Sequence, residues 1–187
     1  MSKQNWKPGN MLNPVPAVMV SVADKAGNAN IITVAWAGTI CTNPPMVSIS
    51  VRPERFSYHM IEETGEFVIN LTTEKLVEAC DYCGVKSGRE VDKFKEMHLT
   101  RLPMQQVGAP GIAESPVNIA CRVTEKKELG SHTMFIAEVV GVTVDDAYMN
   151  ETGKFCLNEI GLVMYSHGEY FKMGERLGKF GYSVAKR

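Results

Sequence analysis

Apolar and polar positions along the chain follow two rhythms. Residues 17–23 (AVMVSVA) and 30–36 (NIITVAW) are short β-branched runs. They are joined by DKAGNA, whose Asp24, Gly27 and Asn28 are turn formers, and so predict a hairpin. Residues 46–51 alternate Val47, Ile49 and Val51 with Ser48 and Ser50, the pattern of a half-buried strand, and Pro44 and Pro45 mark its start. A further strand is predicted at 67–71. Long runs at 117–129 and 133–144, turned at Gly130, Ser131 and His132, predict a second hairpin, and 162–165 with 169–172 predict a last pair around His167 and Gly168. Helical spacing appears at 57–64, with Ser57 placed to cap it and Gly65 to end it. It returns at 73–83 and 90–97 on either side of GVKSGR. These helices are expected to cover a sheet face or a barrel mouth.

Strand runs joined by short turns, with helices grouped in the middle, do not suit the alternation of a doubly wound parallel sheet. The expected class is mainly β with helices, an antiparallel β-barrel of α+β type. No G-x-G-x-x-G lies between a strand and a helix and no G-x-x-x-x-G-K-[ST] is present, so neither a Rossmann nor a P-loop nucleotide site is supported. No repeat or linker divides the 187 residues, and a single domain over 1–187 is expected.

Composition narrows the function classes. Hydrophobic residues at 44% and charged residues at 22% exclude a disordered chain. Twenty Lys+Arg against 21 Asp+Glu give a net charge of −1, so no global field draws the chain to nucleic acid or membrane, although a local anion pocket stays open. No apolar run approaches the roughly 20 residues of a membrane span, and the opening MSKQNWKPGNMLNPVP lacks the apolar centre of a signal peptide. A cytoplasmic protein is expected. Five cysteines without an export signal fit reduced thiols better than a disulfide framework.

Five places could carry chemistry. Residues 37–45 (AGTICTNPP) read as a loop whose small side chains admit close backbone approach by a flat heterocycle, or as an ordinary connection between strands. Arg52, Arg55 and Ser57 gather guanidinium groups and a hydroxyl at a helix start, where an anion is favoured; alternatively the arginines pair with Glu54 and Ser57 only caps. Ser87, Gly88 and Arg89 could form an anion nest, although Ser87 and Glu90 also have the spacing of a capping box, with Asp92, Lys93 and Phe94 then a solvated helix face. His132 stands at a hairpin turn that could face a ligand or only water. Cys80 and Cys83 make one C-x-x-C; no second such pair supports zinc, and no metal is expected.

Taken in order, NxxTVAWAGTICTNPPMVSISV (30–51), RxxRFSYHMIEETGEFVINL (52–71), CGxxSGREVDKF (83–94), GSHTMFIAEVVGV (130–142) and YSHGEYFKMGERLGKFG (165–181) resemble the flavin reductase-like FMN-binding split-barrel family, and within it the flavoredoxin-like branch. The resemblance spans nearly the whole chain. It implies FMN as cofactor, with Thr39, Ile40, Cys41 and Thr42, and the strand end near Ala37, holding the flavin ring mainly through backbone groups. Arg52, Ser57 and Tyr58 would then contact phosphate and ribityl, and Ser87, Gly88 and Lys93 would close the pocket. His132 matches a turn histidine near the reacting rings, here preceded by Ser131 where Asp is more usual, and Cys41 replaces the commoner Ser or Thr. The family also implies a homodimer with flavin between subunits.

The expected function is an FMN-binding oxidoreductase passing electrons from NAD(P)H through flavin to an acceptor, with His132 assisting. The alternatives are an electron carrier reduced by a protein donor such as ferredoxin, a flavin-binding module without catalysis, and a thiol-redox protein built on Cys80 and Cys83.

Overall fold

The computed structural model describes residues 1–185. Its strands are β1 (Val15–Pro16), β2 (Val18–Ala23), β3 (Ala29–Val34), β4 (Ala37–Thr42) and β5 (Pro45–Val51). Helix α1 (Phe56–Thr64), β6 (Glu66–Leu71), α2 (Val77–Val85) and α3 (Lys93–Glu96) follow. Then come β7 (Arg101–Leu102), β8 (Gly111–Ile112), β9 (Val117–Glu128), β10 (Thr133–Val144), β11 (Val163–Ser166) and β12 (Glu169–Lys172). No described helix is long and apolar enough to cross a membrane.

The β2–β3 turn forms for a local reason. The Asp24 carboxylate accepts from the backbone N–H groups of Ala26 (2.9 Å) and Asn28 (2.8 Å), while Gly27 takes the left-handed φ of 84° that the turn requires. Seven strands pair in the order β3-β2-β6-β9-β10-β5-β4, each pair antiparallel. The sheet curls until Ser50 N–H donates to Trp36 C=O at 2.9 Å, bringing β5 beside the end of β3. Val18, Val20, Val22, Ile49, Phe67 and Phe135 fill the inside of the curl. On the outside, Met19 and Ile31 pack under Leu76, Ala79, Cys80 and Cys83 of the α2 region and under Phe94. Strand β2 is therefore covered on both faces, which is why VMVSVA shows no polar alternation. A buried Asn70 fixes the segment beyond α3: its amide accepts from Ile112 N–H (2.9 Å) and Asn118 Nδ2 (2.8 Å) and donates to Met19 C=O (2.9 Å).

Four local expectations change. Residues 37–42 are not a loop but β4, paired with β5 from Ala37 opposite Ile49 to Thr42 opposite Pro45, leaving only the tip as a turn. Small residues give little strand signal alone; the ladder from β5 makes the strand. Ser57 does not cap α1: Arg55 holds the cap position without a side-chain bond, and buried Ser57 accepts from Asn30 Nδ2 at 2.8 Å. Helix α2 begins at Val77 rather than 73, because Thr73 bridges to Leu162 and Glu74 N–H donates to Gly161 C=O at 3.0 Å. The last helix shrinks to α3, capped by Asp92 accepting from Lys95 N–H at 3.2 Å, while Ser87 Oγ serves only a local bond from Arg89 N–H (3.2 Å), so Ser87 and Glu90 form no capping box.

Candidate functional site

A cleft with two lobes opens where β3, the start of α1 and the end of α2 meet. Ile32 and Arg55 line both lobes. The smaller, about 310 Å³, is built from the β5–α1 connection and the link Lys86-Ser87-Gly88-Arg89 that folds over it. Gly88 is required there. A Cβ on it would lie 2.4 Å from Asn30 Oδ1 and 2.5 Å from Phe56 Cδ1, so only glycine lets the link approach this closely. Arg89 Nη1 donates to Glu54 C=O at 3.1 Å, and its guanidinium lies 5.6 Å from the centre of the Phe56 ring.

Lys93, which the resemblance puts at the pocket and local spacing alone would leave on a solvated helix face, is 4% exposed. Its ammonium donates to Ile31 C=O (2.6 Å) and Cys83 C=O (2.7 Å), tying β3 to the last turn of α2. Burial, with help from the Arg55 charge and against the Cys83 thiol, brings its pKa down to about 8. Four cationic side chains, Arg55, Lys86, Arg89 and Lys93, thus line this lobe with one carboxylate, Glu54. No described side chain caps the first turn of α1, whose N–H groups add to the positive field.

The depressed Lys93 pKa has a measurable consequence. Above about pH 8 the folded protein gives up a proton that the unfolded chain holds to about 10.5, so the unfolded state binds more protons and this group's contribution to stability rises with pH. The stability difference between wild type and Lys93→Met is expected to shift by about 1 kcal/mol in favour of wild type from pH 8 to pH 9. The buried thiols of Cys80, Cys83 and Cys121 pull the other way, since burial raises their pKa values, but they do so in both proteins. Denaturant unfolding of the pair at both pH values checks this, and a pH-independent difference contradicts it.

The larger lobe, about 520 Å³, runs along the end of β3 through Thr33 and Trp36, past Ser50 and Arg52, to Ser131 and His132. Its far wall is Asp81, Gly84 and Val85 of α2 with Tyr165 and Tyr170. Tyr170 donates to Asp81 Oδ1 at 3.1 Å, and the two tyrosine rings meet edge to face at 5.5 Å. Arg52 pairs with Glu54 at 3.5 Å. His132 Nδ1 lies 2.9 Å from Ser131 Oγ. Burial first, then the charges of Arg52 and Arg55 against that of Glu54, lowers its pKa below the usual imidazole value, which favours a neutral ring at pH 7.

Of the residues expected at a site, Ser57, Ser87, Gly88 and Lys93 meet in the smaller lobe, and Arg52 and His132 in the larger. Ala37, Thr39, Ile40, Cys41 and Thr42 lie on β4, outside the lining of both lobes, with Ile40 exposed at the sheet edge. Tyr58 belongs to the core, tilted against Phe135 with its hydroxyl 3.2 Å from Glu62 Oε1 and 3.3 Å from Thr133 Oγ1. Asn30, Thr33, Asp81, Tyr165 and Tyr170 were not expected in the cleft. Only Asn30 carried a signal, as a polar residue inside an apolar strand run.

Cys80 and Cys83 face the core of α2, and burial pushes their thiol pKa values up, that of Cys83 to about 11. Ellman's reagent is therefore expected to label Cys156, which is partly exposed, in the native protein, and to reach Cys80, Cys83 and Cys121 only on unfolding. Fast native labelling of Cys80 or Cys83 would contradict this placement.

A curled antiparallel sheet with a cation-lined cleft at its mouth defines a split-barrel protein. Residues 11–174 match the model of the flavin reductase like domain, and the chain belongs to that family. Its fold is similar to flavoredoxin of Desulfovibrio vulgaris (Miyazaki F), at 31% identity and a TM-score of 0.90 over 98% of this chain and 100% of that one. Flavoredoxin from Methanosarcina acetivorans is similar at 26% identity and a TM-score of 0.88, over 98% and 100%. A protein of Archaeoglobus fulgidus is 30% identical over 142 residues, 76% of this chain and 79% of its own.

Proposed function

We propose that the protein is an FMN-dependent oxidoreductase that takes electrons from NAD(P)H and passes them to an acceptor. The observation that carries this reading is the joining of a small cationic lobe at a helix start to a larger lobe with aromatic walls. That donor set fits a phosphate ester of a flat heterocycle. Arg55, Lys86, Arg89 and the α1 N–H groups would hold the phosphate, with Ser57 and Ser87 as further partners and Lys93 behind them. The end of β3 and the residues that follow it to Trp36 would take the ring, largely through backbone groups. Bound flavin supplies the redox chemistry, accepting electron pairs and releasing them singly or together. The exposed edge of β4 would be covered by a second copy of the chain in a homodimer. Five free thiols accord with a reducing, cytoplasmic setting.

The test compares FMN with riboflavin, which lacks the phosphate. Arg55→Ala is expected to weaken FMN by about 1–3 kcal/mol, the cost of losing a charged hydrogen-bond partner, and to leave riboflavin nearly unchanged. Equal losses would contradict the phosphate assignment, and a purified protein that binds neither flavin would overturn the proposal. A second reading, a carrier reduced by a protein donor, is favoured by the flavoredoxin likeness. Flavin reduced by ferredoxin but not by NADH or NADPH would select it.

A further inference from the structure

The match to the flavin reductase like domain ends at residue 174, and the chain beyond it does not join the body. Met173 N–H donates to Leu162 C=O at 3.1 Å; among the described residues no backbone hydrogen bond after it ties 174–184 to the rest of the chain. The segment is folded on itself instead. Tyr182 N–H donates to Lys179 C=O at 3.0 Å, Gly181 takes a left-handed φ of 82°, and the Tyr182 ring lies so close to Gly178 that a Cβ there would stand 2.7 Å from it. Between this arm and Leu162 and Met164 of the body opens a cavity of about 940 Å³. We propose that the arm seats on a second copy of the chain, each copy's arm lying across the other's β1-β11-β12 sheet.

Leu177 is 93% exposed, Phe180 wholly and Val184 nearly so. Three such side chains on one preformed turn mark a contact surface, unlike the scattered exposure that is normal for single apolar residues. The body carries a matching bare face. Strands β1, β11 and β12 pair in that order, and their side chains alternate between the two sides of the small sheet. Tyr165 and Tyr170 stand opposite each other on the side that packs toward α2. Pro16, Met164 and Phe171 line up on the other side, where Phe171 is 48% exposed. Strand β11 is central in this sheet, yet none of its residues is fully buried.

Both surfaces belong to one chain, and that chain's own arm leaves both bare. A two-fold dimer presents the same patch twice, so each arm covers the partner's sheet and both apolar sets leave water together. Covering Phe171, Met173, Leu177, Phe180, Tyr182 and Val184 in both copies removes on the order of 1,500 Å² of surface, since an aromatic side chain alone buries about 150–250 Å². A stable interface needs about 1,200–2,000 Å². Strand β1 also lies beside β4, whose exposed edge the proposed homodimer covers, so sheet and edge form one continuous surface. The inference rests on that homodimer and names the segment that holds it together.

Sedimentation equilibrium of the full-length, flavin-loaded protein measures the dimer. Leu177→Glu and Phe180→Glu place a carboxylate in the proposed contact and are each expected to raise the dimer dissociation constant by about a hundredfold or more. Phe180→Met, which stays apolar, is expected to change it by less than about tenfold. Ultraviolet irradiation of protein carrying p-benzoylphenylalanine in place of Phe180 is expected to give a covalent species of twice the mass, linked to the peptide that holds Met164 or Phe171. A dimer whose dissociation constant is unmoved by both Leu177→Glu and Phe180→Glu overturns the arm exchange and keeps the homodimer. Cross-links confined to one copy overturn it too, because the arm then folds onto its own body. Wild type that stays monomeric at micromolar concentration defeats the homodimer itself and this inference with it, while the flavin reading stands on its own test.

Discussion

Replacing Gly88 by alanine is expected to strip the protein of flavin. A Cβ there would stand 2.4 Å from Asn30 Oδ1 and 2.5 Å from Phe56 Cδ1, and neither neighbour is a loose end. Asn30 is buried and bonded to Ser57, and Phe56 lies under the Arg89 guanidinium. The link must therefore move outward, and overpacking of this kind costs about 1–3 kcal/mol of stability. Its movement takes Lys86, Ser87 and Arg89 away from Arg55 and Ser57. Loss of two charge-assisted partners predicts a fall in FMN affinity of roughly a hundredfold or more. The measurements are flavin absorbance retained through gel filtration and the thermal midpoint of the apoprotein. A Gly88→Ala protein with unchanged flavin content would remove the smaller lobe from the cofactor site.

His132→Ala is expected to slow flavin reduction without releasing flavin. His132 reaches the larger lobe from the β9–β10 turn, and its only described side-chain partner is the neighbouring Ser131. An imidazole there can hydrogen-bond a donor's amide or respond to charge gathering on the ring, but neither role makes it indispensable. Stopped-flow reduction by excess NADH or NADPH is expected to fall roughly 10–100-fold, or about 1.4–2.7 kcal/mol. An unchanged rate would return His132 to a solvated turn, and loss of flavin would make it a cofactor ligand. Because its pKa lies below the usual imidazole value, the wild-type rate should be insensitive to this group above pH 7.

Much of this site is legible in the chain because its signals are local. The Asp24 to Asn28 turn, the alternation at 47–51 and the left-handed Gly65 that ends α1 depend on neighbours a few residues away. The same is true of Arg52 and Arg55 at a helix start, so the sequence by itself determined the hairpins, the antiparallel class and one cationic corner of the cleft. What it could not determine depends on partners far along the chain. Lys93 reads as a surface cation until Ile31, 62 residues earlier, supplies a carbonyl that holds its ammonium indoors. Residues 37–42 read as a loop until β5 supplies the ladder that makes them a strand. Ser57 reads as a cap until Asn30, 27 residues earlier, takes its hydroxyl. Tyr165 and Tyr170 give no sign of belonging to the cleft until the β11–β12 hairpin docks against α2 through Asp81. For Lys93 and Ser57 a local preference worth a fraction of a kcal/mol to about 1 kcal/mol yielded to a buried polar group that had to find a partner, for β4 and the β11–β12 hairpin the deciding partner is a strand or helix distant in sequence, and only the tertiary structure decides which partner is within reach.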